Sequence, residues 1–374
     1  MAEIRILQVF GKLDRNGAET MLMNIYRHID RDKVQFDFVV HSKEIGDYEQ
    51  EIRMLGGQIY CCPRYTGKNH FFYINWWKNF FQTHNYPVLH SHIRSTASLY
   101  IPYFHRYCGG IAIAHSHSIT SGKGISGAVK NLLQLPLRYE ADYLFACSED
   151  AAQWLFGKRA ASGKKCRIIR NAIDSVRYAY QPLIRKKYRK EFGIENHLVI
   201  GHVGRFCNEK NHSFLLEAFE KLHQVQPNSI LMLVGRGEHE NEIRKAVEAK
   251  GLETQVLFLG NRDDVPELMQ AMDILAFPSV AEGLGMVVIE AQAAGLPVVC
   301  SEIIPKEATL IENLVHREPL HLGTEHFAKT ILHILLENTK RKDVQKILID
   351  NGWDIRENAK WMEKFYIQAS NEEN

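Results

Sequence analysis

The sequence predicts an α/β fold of two successive doubly wound parallel sheets. Three observations carry that expectation. Short apolar runs alternate with amphipathic helical stretches from Ile4 onward, the pattern of strands and crossover helices that build a parallel sheet. The alternation lapses over a less regular, basic stretch, Asn171 to Lys190, and restarts at Leu198. The chain has 374 residues, and at roughly 150 residues per domain that length suits two domains.

In the first half, Ile4 to Val9 reads as a strand, Gly11 to Gly17 as a polar loop and Ala18 to Ile29 as a helix with Met21, Leu22, Ile25 and Ile29 on its apolar face. Phe36 to Val40 is a strand. Tyr48 to Leu55 is helical and ends at Gly56-Gly57. Asn75 to His84 is a helix, Val88 to His90 a strand, and Ser95 to Tyr107 a helix stopped by Gly109-Gly110. Ile111 to Ala114 is a strand followed by a loop rich in Ser, Gly and His. Tyr143 to Ala146 and Arg167 to Ile169 are two more strands. In the second half the strands are Leu198 to Val203, Ser229 to Val234, Val256 to Leu259, Ile274 to Phe277 and Val298 to Cys300. Helices Asn211 to His223, Glu238 to Lys250, Val265 to Ala271 and Met286 to Ala294 lie between them. The tail, about Glu325 to Ile367, is amphipathic and helical, and Ala369 to Asn374 reads as disordered.

Composition sets limits. The chain is 45% hydrophobic and 24% charged with a net charge of +2, ordinary for a soluble protein and no argument for nucleic acid. Seven cysteines, an odd and scattered set without Cys-x-x-Cys, fit a reduced, cytoplasmic setting better than a disulfide framework or zinc site. No signal peptide is expected, and no run approaches the roughly 18 apolar residues of a membrane span.

The chemistry concentrates in Phe277 to Ser301, which reads strand, glycine loop, helix, strand. Gly283, Leu284 and Gly285 form a loop whose glycines let backbone approach a ligand. The loop opens a helix, whose free N–H groups and dipole favour an anion such as a diphosphate. Glu282 lies in the loop and Glu290 one turn into the helix, placed to accept hydrogen bonds from different parts of a ligand, such as sugar hydroxyls. Glu282 and Glu290, with Glu-Gly-Leu-Gly before and Glu-Ala-Gln-Ala-Ala-Gly-Leu-Pro-Val-Val after, closely resemble the signature of retaining family-4 glycosyltransferases. The resemblance covers nearly the whole chain. It implies a GT-B fold: two Rossmann-like domains facing across a cleft, with the final helices crossing back onto the first. The domains are then 1–175 with about 352–370, binding the acceptor, and 190–350, binding the nucleotide-sugar donor.

Other motifs follow strands. Gly204-Arg205-Phe206-Cys207-Asn208-Glu209-Lys210 offers Arg205 as a bidentate fork and Lys210 as a point charge for a diphosphate. In the family, the matching pair neutralises the departing nucleotide without a metal. Gly235-Arg236-Gly237-Glu238 and Gly260-Asn261-Arg262 also follow strands, and the resemblance places the second, with Arg262, at the nucleotide base. Asn16-Gly17-Ala18-Glu19 suits a phosphate, a sugar or a plain helix start; the family has Gly-Gly-Ala-Glu here, so Asn16 departs from it while Gly17 matches. His90, His92, His115 and His117 form two His-Ser-His runs. They read as a polar wall that hydrogen-bonds a sugar rather than as a metal site, and the resemblance gives His115, or His117 one step on, contact with the donor sugar or the acceptor.

Two features invite membrane contact: the aromatic run Phe71 to Phe81, and the basic stretches Lys158 to Arg170 and Arg185 to Lys190. Core packing and solvated cations are the preferred reading; peripheral docking at the inner face of a membrane is the second. The expected activity is hexosyl transfer with retention, from a UDP-sugar to a saccharide or lipid-linked acceptor in exopolysaccharide or capsule synthesis, with no metal or other cofactor. A UDP-N-acetylhexosamine epimerase and a non-catalytic nucleotide-sugar scaffold are the rivals. A nicotinamide dehydrogenase is disfavoured because no Gly-x-Gly-x-x-Gly follows the first strand.

Overall fold

A computed structural model describes residues 3–117, 130–337 and 340–371. The chain forms two compact units, one of residues 1–173 with 352–374 and one of residues 174–351.

The first unit holds a seven-stranded sheet built from β1 (Ile4–Phe10), β2 (Val34–Val40), β3 (Ile59–Cys61), β4 (Val88–Ser91), β5 (Ile111–Ser116), β6 (Tyr143–Ala146) and β7 (Cys166–Ile168). The spatial order is β3-β2-β1-β4-β5-β6-β7, and every pairing is parallel. Side chains alternate across a strand, so each strand feeds two cores. Leu7, Val9, Leu89, Ala112 and Ala114 pack with Trp77, Tyr100 and Phe104 on one face. Ile6, Phe10, Phe36, Phe38, Val88, Ile113 and Phe145 pack on the other, against the helix Gly17–His28 and the last helix, Ile355–Asn371. The last helix thus lies on the first unit's sheet, over β1, β2 and β4. It continues through Asn371, so the disorder expected from Ala369 does not begin there; residues 372–374 lie outside the described residues.

The second unit repeats the plan with β8 (Leu198–Val203), β9 (Ser229–Val234), β10 (Val256–Phe258), β11 (Ile274–Phe277), β12 (Val298–Ser301) and β13 (Val315–Glu318). Their order is β10-β9-β8-β11-β12-β13, again all parallel.

Several local expectations need correction. The aromatic helix begins at His70, five residues early. The edge strands β3 and β13 were not anticipated: one has three residues and the other reads Val-His-Arg-Glu. The irregular basic stretch contains helices Ser175–Tyr178 and Pro182–Glu191, both in the second unit, so that unit starts at Asp174 rather than near 190. Arg185 and Arg189, four apart, point together at Asp273, with contacts of 2.5 and 3.1 Å. These two cations are therefore part of the structure's ion pairing. In the aromatic run Trp77 and Phe81 are core residues, while Phe71 and Phe72 are exposed. Most of the Ser/Gly/His-rich loop after β5, residues 118–129, lies outside the described residues.

Candidate active site

In a doubly wound sheet the strand order reverses at one point, and the loops leaving the strands there diverge to form a crevice. In the second unit the reversal falls between β8 and β11. The loops leaving them are Gly204–Asn211 and Pro278–Gly285, the two stretches that the sequence marks for a diphosphate. They are tied together. The Val280 N–H donates to the Glu209 carbonyl at 2.8 Å, and Asn211 Nδ2 donates to the Pro278 carbonyl at 3.2 Å. The Lys210 ammonium is ion-paired with Glu282 and lies 4.7 Å from the centre of the Phe277 ring. Asn211 takes a left-handed conformation with φ 56°, which Asn tolerates better than most residues, so the loop turns straight into the helix His212–Val225.

The glycines divide by purpose. Gly285 has φ 80° and caps the helix Met286–Ala293, a conformation that disfavours a side chain. Gly283 has ordinary φ, and a Cβ there would meet nothing within 4 Å. The fold does not require glycine at Gly283, which leaves open backbone beside a helix N-terminus. Gly17, at the start of its helix in the first unit, is open in the same way.

Glu290 sits inside the turn that follows. Burial pushes its carboxyl up to about 7, with a hydrogen bond from Tyr178 opposing the rise. Tyr178 comes from the stretch the sequence left irregular, where Asp174 caps the short helix by accepting the Arg177 N–H. A lone tyrosine in a basic segment gave no signal for this role. Arg205 is more open: its side chain is 68% exposed and 3.7 Å from Glu238. Arg262 is held by Asp264 at 2.6 and 2.7 Å.

The histidines gather in the first unit, near its own reversal between β1 and β4. His115 is 1% exposed and His90 fully buried, whereas His92 and His117, beyond the strand ends, are half-buried. Their contacts are His90 Nε2 to His115 Nδ1 at 3.0 Å, His92 Nδ1 to His117 Nε2 at 2.8 Å and His92 Nε2 to Gln8 Oε1 at 3.0 Å. Tyr366, from the last helix, lies 2.7 Å from His90 Nδ1 and 3.2 Å from Gln8 Nε2. Burial lowers the proton affinity of all four rings, to about 3 for His117. The rings are therefore neutral at physiological pH. His90, His92 and His115 bring a nitrogen each within 4.8 Å of one another, close enough to suggest a metal. The His90 and His115 nitrogens that face each other already share a hydrogen bond, as does each ring nitrogen of His92 with its own partner. Sequence reasoning singled out His115; the structure leaves His117 the more open of the two and adds Gln8 and Tyr366, which it had missed.

Two all-parallel doubly wound units, with the last helix returned to the first sheet, make a fold of the GT-B type. The model of Glycosyltransferase Family 4 matches residues 15–177, and that of Glycosyl transferases group 1 matches residues 184–348. EpsF of Bacillus subtilis, which is named as a putative glycosyltransferase, is 32% identical over 364 residues, covering 95% of this chain and 94% of its own. An Escherichia coli UDP-Gal:alpha-D-GlcNAc-diphosphoundecaprenol alpha-1,3-galactosyltransferase is 33% identical over 145 residues, 37% of each chain. The crystal structure of Anabaena HepE in complex with UDP superposes with a TM-score of 0.77 at 20% identity, over 98% of this chain and 100% of that one. The chain belongs to the family of glycosyltransferases that join these two domains, and it is an enzyme of that class.

Proposed function

We propose that this enzyme moves a hexosyl group from a UDP-sugar to a saccharide or lipid-linked acceptor, with retention at the anomeric carbon, in surface-polysaccharide synthesis. The observation that carries the reading is the second unit's switch point, where Lys210, Glu282 and open glycine backbone converge on one helix N-terminus. Lys210 and Arg205, with N–H groups of Gly283, Leu284 and Gly285, hold the diphosphate and stabilise its charge as the sugar departs. No metal is needed for that step. Glu282, freed from Lys210 by the incoming phosphates, accepts from hydroxyls of the transferring sugar. Glu290, oriented by Tyr178, accepts from the ribose, and Arg262 lies at the base. The first unit binds the acceptor. The reading is supported by a relative whose name states UDP-Gal as donor and a diphosphoundecaprenol-linked acceptor, and by a neighbour solved with UDP-glucose. No described helix is long and apolar enough to cross a membrane, and peripheral contact through Phe71 and Phe72 would bring the enzyme to a lipid-linked acceptor at the inner face of the membrane.

The test is thermal unfolding with UDP, GDP or ADP in EDTA and then in Mg²⁺. A nucleotide at 100 times its dissociation constant stabilises by about 2.7 kcal/mol. Stabilisation by UDP in EDTA is the expected result. Stabilisation that needs Mg²⁺ would overturn the metal-free site. A product assay with UDP-hexoses then separates transfer from epimerisation.

A further inference from the structure

The four histidines, Gln8 and Tyr366 make one unbranched chain of hydrogen bonds, and neutral rings allow it only two directions. A neutral imidazole has one donor and one acceptor nitrogen, so fixing one bond fixes the next. The anchor is the Gln8 amide: its oxygen faces His92 and its nitrogen faces Tyr366. His92 must then donate from Nε2, which leaves Nδ1 to accept from His117 Nε2–H. On the other side Gln8 Nε2–H donates to the Tyr366 oxygen, so the phenol donates to His90 Nδ1. The 2.7 Å separation there suits an O–H donor. His90 then donates from Nε2 to His115 Nδ1, and His115 carries its own proton on Nε2. That last N–H is buried and has no partner among the described residues. Phe10 stacks on His92, and Phe145 meets His90 and His115 edge-on, which holds the rings in place.

We propose that Gln8 and Tyr366 are positioning residues that hold all four histidines as the Nε2–H tautomer, so that His117 presents a bare Nδ1 as a hydrogen-bond acceptor for a saccharide hydroxyl. This rests on the glycosyl-transfer reading above for the identity of the ligand, but not for the tautomers. Turning the Gln8 amide over would reverse every bond in the chain. His117 would then donate from Nδ1, and its preference would pass from hydroxyl hydrogens to hydroxyl lone pairs. Second-layer groups commonly fix imidazole tautomers in this way.

The test reads ring-nitrogen NMR of the unliganded, ¹⁵N-histidine-labelled protein, with resonances assigned by single His→Gln variants. All four rings should be neutral with the proton on Nε2. A proton on Nδ1 at any of the four, a charged ring near pH 7, or a stoichiometric bound metal found by elemental analysis would overturn the proposal. Gln8→Leu should release His92 and His117 into mixed tautomers and lower kcat/KM by about tenfold, one hydrogen bond's worth. Tyr366→Phe should release His90 and His115 instead, and it serves if Gln8→Leu does not fold. Unchanged tautomers in a folded variant would refute the positioning role. Wild-type protein with the expected tautomers but no sugar transfer would sink the proposed function and the saccharide as ligand, and leave the positioning role of Gln8 and Tyr366 standing.

Discussion

Glu290→Gln should stabilise the unliganded enzyme, by an amount that grows with pH. Burial raises the Glu290 carboxyl from 4.5 to about 7 in the folded protein. Below the unfolded value the group is protonated in both states and contributes nothing to the difference. Between the two values the folded state holds a proton that the unfolded state has released, so stability falls as pH rises, and the loss is complete above about pH 7. The full shift corresponds to about 3 kcal/mol. Glu290 is half-buried rather than sealed, and water at its open side reduces the expectation to about 1–2 kcal/mol. Glutamine keeps an oxygen for the Tyr178 hydroxyl and cannot ionise. Urea or thermal unfolding of both proteins from pH 4.5 to 8, without nucleotide, measures the gap. At pH 8 the variant should melt a few degrees higher, about 2–4 °C per kcal/mol for a domain of this size. A gap that stays flat across that pH range would refute the reasoning, whatever its mean value. The same variant should bind UDP about 10- to 100-fold more weakly, because the charged acceptor for the ribose is gone.

Lys210→Ala and Glu282→Ala should each lower kcat by about 10²-fold or more, with circular dichroism unchanged; near-normal turnover in both would remove the switch-point loops from the chemistry. Tyr178→Phe deletes the hydrogen bond that holds Glu290 down, so the acid limb of donor affinity should move to higher pH, read from KM for the donor between pH 5.5 and 8.5. Gly235 has φ 136°, and a Cβ there would lie 2.1 Å from the Gly204 carbonyl oxygen. Gly235→Ala should therefore cost more than about 1 kcal/mol in urea unfolding and also weaken nucleotide binding, since the displaced backbone leads into Arg205.

The parts of this fold that the sequence shows plainly are those whose signal is local. β8, β11 and the helix Met286–Ala293 are each written in consecutive residues, and once two such strands neighbour each other in a parallel sheet their exit loops must meet. That is why Lys210 and Glu282, 72 residues apart, could be assigned to one crevice from their positions at strand ends. Edge strands gave weaker signals: β13 buries little and carries His, Arg and Glu. Cations misled in the opposite sense. Arg185 and Arg189 look like a solvated face until Asp273 is known to sit between them and the sheet. The same ambiguity hid Tyr178, whose partner lies more than a hundred residues away.

The histidine cluster shows the limit most sharply. Spacing by two puts His90 and His92, or His115 and His117, on one side of an extended chain, and parallel pairing brings the two runs together. That much is written in β4 and β5. What the cluster does depends on the two groups that join the histidine runs in the middle of the hydrogen-bond chain, Gln8 and Tyr366, and Tyr366 arrives from the far end of the protein, 276 residues after His90. Without it, four neighbouring imidazoles could serve equally as metal ligands, bases or donors. With it, and with the Gln8 amide to set the direction, each ring has one fixed donor and one fixed acceptor. The last helix therefore contributes more than apolar cover for the first sheet: its phenol helps select which chemistry the histidines present, and that selection requires the helix to fold back onto β1 and β4.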